Sequence, residues 1–382
     1  MTKGLIVGVD ASRNRSGGAR AHLIGLMSGS DPRTLGIERV HLWAYRALRD
    51  QIPDQPWLVK HETPDIEGSV PRQLWWQRAK LPAIVDALGC DILFNTDAGS
   101  VCPVRRSATL SQDMLSFEPG EMQRYGLSKA RLRLEVLKIV QAQRLKRARL
   151  AIFLSDYARQ AIQASIGRVA ESVVIPHGID EKFRAVAHQR RPWPADEPIR
   201  CLYVSNAAPY KHQWHVVEAV AQLRQAGFHL ELKLVGGGAG RSQARLERAM
   251  QEFDPSGEFV RQLSFVPNEE IPQHLADADL FVFASSCENL PITMLEAMAA
   301  GIPICSSNRG PMPEVLGEGG CYFDPEEPAS IARAMRNMIE DGMHRARRTE
   351  QARERSRAFT WRRCSEETWS ALAAACRSET AE

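Results

Sequence analysis

Long apolar runs are missing from this 382-residue chain: no stretch approaches the ~20 apolar residues that a bilayer-spanning helix needs, which leaves a soluble or peripheral protein. The first apolar run, Leu5 to Val9, is also too short for a signal-peptide core. No C-x-x-C pair occurs. The eight cysteines are scattered, the nearest pairs being Cys90/Cys102 and Cys364/Cys376, so neither a zinc knuckle nor a redox disulfide motif is encoded, and a reducing cytoplasm is the expected setting. An excess of charge of one sign is missing as well. With 25% charged residues and a net charge of only +3, the overall balance does not call for a nucleic-acid partner. Internal repeats and low-complexity tracts are absent.

What is present is an alternation of short apolar runs with longer amphipathic ones, the pattern of an α/β protein with parallel sheets wrapped by helices. Strands are expected at Leu5 to Val9, Asp91 to Asn95, Ala108 to Ser111, Ala151 to Leu154 and Val173 to Pro176. A second set runs Arg200 to Val204, Leu230 to Val235, Phe259 to Phe265, Leu280 to Ala284 and Pro303 to Ser306. The length suits two domains, and the charged, proline-rich stretch 187–198 is the expected linker between residues 1–186 and 199–357.

The most informative segment is Ser285 to Ile304. An apolar strand delivers Glu288 to a strand end, and the spacing of Leu295, Met298 and Ala299 starts a helix carrying Glu296, eight positions later. Thr293 and Glu296 also spell a capping box, which would make the second carboxylate a helix cap. Capping does not account for Glu288, the Asn289-Leu290-Pro291 loop or the Gly301-Ile302-Pro303-Ile304 strand entry. The whole segment resembles the retaining glycosyltransferases of family 4, the glycosyl transferases group 1 of bacterial surface-polysaccharide type. The resemblance implies a GT-B fold, two Rossmann-like doubly wound domains facing across a cleft. It further implies transfer of a hexosyl group from GDP-mannose or a UDP-hexose to a glycan or lipid-linked acceptor, with no metal ion and no other cofactor. By the same resemblance Glu288 holds the transferred sugar, Glu296 the ribose hydroxyls, and Asn289, Leu290 and Pro291 line the donor. Helix N-termini would contribute to holding the diphosphate.

Other positions fall into place by this likeness. Lys211, in the loop after Arg200 to Val204, fits the family's lysine that neutralises the pyrophosphate, while Asn206 stands where the family carries arginine. Arg241, after the Gly236 to Gly240 turn, is a candidate to supply the missing charge. Gly17 and Gly18, after the first strand, would let the backbone approach the donor diphosphate or acceptor, and Val266, in Phe265 to Asn268, would meet the base. On the acceptor side Gln112 replaces the family's histidine, leaving Asp113 to orient or deprotonate the acceptor, with Asp97 behind it; a turn-forming role fits either aspartate. His177 reads as structural, and Asp277 and Asp279 as a helix-to-strand junction. Residues 358–382 resemble the family's C-terminal crossover back to the first domain.

Residues 129–149 carry eight basic side chains against one acid, Glu135, and Leu132, Val136, Ile139 and Val140 share a helical face. Such a helix would rest on an anionic membrane from the cytoplasmic side, or else be a solvated helix packed on the core. Two other readings of the function stay open. The departures at Asn206 and Gln112 suit a noncatalytic nucleotide-sugar-binding protein, and the glycines 236–238 and 240 suit an NAD-dependent oxidoreductase.

Overall fold

The computed structural model describes residues 4–15, 17–187, 193 and 196–377; linker residues 188–192 and 194–195, and residues 378–382 of the expected crossover, lie outside the described residues. The chain divides into two units, Met1–Gly178 with Thr360–Glu382, and Ile179–Phe359.

In the first unit β1 (Leu5–Asp10), β2 (Ile37–Trp43), β3 (Leu58–His61), β4 (Ile92–Asn95), β5 (Ser107–Leu110), β6 (Leu150–Phe153) and β7 (Ser172–Val174) form one sheet in the order 3-2-1-4-5-6-7. Every pairing is parallel; Val7, for example, lies between Val40 and Ile92. In the second unit β8 (Ile199–Val204), β9 (Leu230–Val235), β10 (Val260–Leu263), β11 (Leu280–Phe283), β12 (Ile304–Ser307) and β13 (Gly320–Phe323) form a parallel sheet in the order 10-9-8-11-12-13. The central strands β4, β6 and β11 are buried throughout, because helices cover both faces of a parallel sheet and leave no solvated side. In each sheet the strand order reverses once, between β1 and β4 and between β8 and β11. A crevice at the carboxyl ends of those two strands is where ligands of doubly wound sheets bind.

The helices that matter below are α1 (Gly17–Gly29), α2 (Lys129–Arg147), α3 (Glu181–Val186), α4 (Gln213–Gln225), α5 (Gly240–Phe253), α6 (Ile292–Ala299), α7 (Gly342–Ser356) and α8 (Trp361–Arg377). Helix α8 belongs to the first unit, where Thr360 Oγ1 caps it through Arg363 N at 3.1 Å and Trp361 lies against α1. Residues 179–186, assigned from sequence to the first domain, pack with the second. The reason is the start of α3: Asp180 caps it through Lys182 N at 3.2 Å, and Arg184 donates to the carbonyls of Ser356 and Phe359 at 3.0 Å each.

Candidate functional site

The loop from β8 to α4 is built to hold one lysine. Tyr203, buried on β8, donates its hydroxyl to Lys211 O at 2.6 Å, and Ser286 N donates to Tyr210 O at 2.8 Å, tying this loop to the one that follows β11. His212 adopts a left-handed conformation, φ 47°, uncommon for a residue with a Cβ, and its ring meets Ser286 Oγ at 3.0 Å. Lys211 itself is nearly buried, over the rings of Tyr210 and Phe283 at 5.2 and 5.4 Å, and its Nζ is paired with Glu288 Oε1. Two residues 77 positions apart thus meet at the carboxyl ends of adjacent strands, β8 and β11, where the strand order reverses.

Glu296 sits one turn into α6. That helix starts after Pro291 and has no side-chain cap, so the Thr293/Glu296 capping box does not form. The carboxyl group turns instead toward Asn268, whose side chain hydrogen-bonds it, and toward Lys182 on α3. Burial, opposed by Lys182 and the Asn268 bond and helped slightly by Asp180, leaves its pKa raised to about 8. Between Glu288 and Glu296, Asn289, Leu290 and Pro291 are buried, while Val266 is half-buried in the segment leading to Asn268.

The remaining donor candidates stand differently. Asn206 is exposed, and so is Arg241 on the first turn of α5. The glycines between β9 and α5 have a structural explanation: a Cβ on Gly236, at φ 122°, would lie 2.3 Å from Ser205 O, and one on Gly238 2.6 Å from Ala207 Cβ. They let two backbones approach closely.

In the first unit Gly17 and Gly18 open α1, and a Cβ on Gly17 would meet nothing within 4 Å. Asp97 Oδ1 accepts from Gly99 N at 2.5 Å and Asp113 Oδ1 from Leu115 N at 2.9 Å, the local turn geometry that aspartate favours. Burial raises the pKa of Asp113, and the charge of Asp97 adds to the rise. Gln112 is committed to Thr96 O at 2.8 Å. His177 is buried with its ring nitrogen 2.9 Å from that of His22. Asp279 Oδ2 accepts from Arg200 N at 2.8 Å, fixing the junction before β11.

Sequence reasoning missed two groups. Asp10, at the end of β1, accepts from Ser12 Oγ at 2.6 Å, Gln77 Nε2 at 2.7 Å and Ser100 Oγ at 3.1 Å, a buried network that sets the loop before α1. Lys182 was missed too, because only folding brings α3 beside α6.

Residues 186–355 match the family glycosyl transferases group 1. This segment belongs to that family. Among relatives of the chain are an O-antigen chain mannosyltransferase B of Escherichia coli, 25% identical over 59% of this chain and 60% of the relative, and a GDP-mannose-dependent alpha-(1-6)-phosphatidylinositol monomannoside mannosyltransferase of Mycobacterium tuberculosis, 29% identical over 50% and 52%. The chain thus spans between about half and three-fifths of these curated relatives. A sucrose-phosphate synthase structure from Thermosynechococcus elongatus superposes with a TM-score of 0.72 at 20% identity, covering 95% of this chain and 97% of that one. The group 1 segment and the unit preceding it together have the GT-B fold, two parallel Rossmann-like domains.

Proposed function

We propose that the protein is a retaining, metal-independent hexosyltransferase of family 4. It moves a hexosyl group from a nucleoside diphosphate sugar to a glycan or lipid-linked acceptor in surface-polysaccharide or lipopolysaccharide assembly. Both relatives are named mannosyltransferases and one is named GDP-mannose-dependent, which favours GDP-mannose over a UDP-hexose as donor. The observation that carries the reading is the pairing of Lys211 with Glu288 where the second sheet reverses its order.

In the reaction, the bond from sugar C1 to the diphosphate oxygen breaks, the acceptor oxygen bonds to C1 on the same face, and the acceptor's proton passes to the departing diphosphate oxygen. Lys211 exchanges its carboxylate partner for the diphosphate and stabilises the charge that grows there; Glu288, released, orients the sugar. Glu296 takes the ribose hydroxyls, and Asn289, Leu290, Pro291 and Val266 line the nucleotide. Asn206, Arg241, Gly17 and Gly18 are assigned to the phosphate end. Asp113 orients the acceptor hydroxyl, with Gln112 and Asp97 beside it.

A noncatalytic nucleotide-sugar-binding role is the second reading, favoured by the commitment of the Gln112 amide to Thr96. One experiment separates the two. GDP, UDP and NAD are compared as stabilisers in thermal unfolding with chelator present, where a ligand at a hundredfold excess over Kd contributes about 2.7 kcal/mol. GDP-mannose turnover is then followed for the unsubstituted protein and for Lys211→Ala. Stabilisation by GDP and turnover that falls about 10²- to 10³-fold in Lys211→Ala are expected. Binding without turnover selects the second reading, and stabilisation by NAD alone overturns both.

A further inference from the structure

Glu296 does not stand alone at the nucleoside end of the site. Lys182 Nζ, on the first turn of α3, donates to Asn268 Oδ1 at 2.5 Å and to Asn268 O at 3.3 Å. With its side-chain oxygen so engaged, Asn268 presents its NH₂ group, and the Asn268 side chain hydrogen-bonds the Glu296 carboxyl. Three elements far apart in the chain, α3, the loop after β10 and α6, therefore meet in a single line of donors and acceptors. Lys182 and Asn268 are exposed or half-exposed, whereas Glu296 is buried, so the line runs from solvent to the carboxyl group.

We propose that Lys182 and Asn268 are positioning residues for donor binding: the lysine orients the Asn268 amide, and the amide engages one oxygen of Glu296 and eases its ionisation as the donor binds, leaving the other oxygen for the ribose hydroxyls of a nucleoside diphosphate sugar. This rests on the reading of Glu296 as the ribose ligand. A carboxylate accepts two hydroxyl donors where a carboxylic acid must spend its proton, so the ionised form is the binding form. Burial opposes ionisation, and the Asn268 bond and the Lys182 charge restore part of it. The charged groups facing Glu296 are Lys182 and, with the opposite effect, Asp180, both at the start of α3; α7, which also packs on α6, brings Arg353 to Gly301, beyond the far end of the helix.

The test is donor affinity against pH. GDP-mannose and UDP-glucose serve as probes, because a pyrophosphate diester does not titrate in the range used, and binding is followed by calorimetry from about pH 6 to about pH 9. The unsubstituted protein should bind one of them more tightly as pH rises toward the Glu296 pKa of about 8. Asn268→Ala and Lys182→Met should move that midpoint to higher pH, costing about threefold to tenfold in affinity at neutral pH and less above the midpoint. Asp180→Asn, which can still cap α3, should move it to lower pH. Glu296→Gln should bind weakly at every pH. Midpoints unmoved by Asn268→Ala and Lys182→Met, with Glu296→Gln still weak, would overturn the positioning role and leave the ribose assignment standing. Unchanged affinity in Glu296→Gln, or no binding of either probe by the unsubstituted protein, would overturn the ribose assignment itself.

Discussion

Glu296 and Glu288 are eight residues apart, yet they are held in opposite ways. Glu288 has a cation on it, whereas the side chain of Glu296 is buried with a neutral amide as its hydrogen-bond partner, and its pKa rises from 4.5 to about 8. That rise has a consequence for stability whose sign is fixed by proton counting. Above about pH 4.5 the unfolded chain has released the Glu296 proton, while the folded chain keeps it until about pH 8. The unfolded state therefore binds fewer protons across this window, and stability falls as pH rises through it, levelling off above the folded value. Glu296→Gln removes the titration and keeps the amide-sized side chain. We expect the variant to match the unsubstituted protein near the bottom of the window and to exceed it by a few kcal/mol at the top, at about 1.4 kcal/mol per pKa unit. Urea unfolding midpoints at the two ends of the window read this directly; parallel curves for the two proteins would show that the carboxyl group is not held protonated. A gain in stability bought with lost donor affinity is the usual mark of a site group.

Among the elements, α1 and α8 show why glycine falls where it does. A Cβ on Gly25 would lie 2.2 Å from Trp361 Cδ2, and one on Gly178 2.1 Å from the Trp361 backbone nitrogen, so both positions need the absence of a side chain for Trp361 to seat. Gly25→Ala and Gly178→Ala should each destabilise the first unit by about 1–3 kcal/mol, the second more because backbone cannot swing aside. Gly17→Ala, with open space around it, should stay within about 0.5 kcal/mol. Thermal unfolding of the three variants checks the ranking. The sequence did not show these contacts, since they join residues more than 180 positions apart. It did show most strands, because a parallel strand buried on both faces is a plain apolar run. It hid β2, where Glu38, Arg39 and His41 interrupt the run, and the edge strands β3 and β13, which are short and partly exposed. At the site, Glu288, Lys211 and Glu296 were legible as motif positions. Lys182 was not, because nothing local distinguishes it from any helix-start lysine.

At the scale of the whole molecule the question is what the outward face of α2 meets. No helix among the described residues is long and apolar enough to cross a membrane. On α2, however, Leu132, Val136 and Ile139 are 66%, 54% and 59% exposed, and their spacing continues through Gln143 to Lys146 as one stripe. Arg144, counted among the eight basic residues of the segment, is turned inward, donating to Val104 O at 3.0 Å, so the cationic contribution is smaller than the sequence suggests. We propose that this face rests on an anionic lipid surface, which would bring a lipid-linked acceptor to the first unit. Three apolar side chains sunk into the interface contribute up to about 1.5–3 kcal/mol each, against about 1 kcal/mol for each nearby lysine or arginine. The apolar term should therefore lead. Pelleting with phosphatidylserine-containing vesicles at low salt should be reduced but not abolished by raising salt, and abolished by Leu132→Ser, Val136→Ser and Ile139→Ser together. Pelleting lost with salt alone would reassign the attraction to the charges of Lys129, Arg133, Lys146 and Arg147, and no pelleting at low salt would leave α2 a solvated helix packed through Leu134, Gln141 and Leu145.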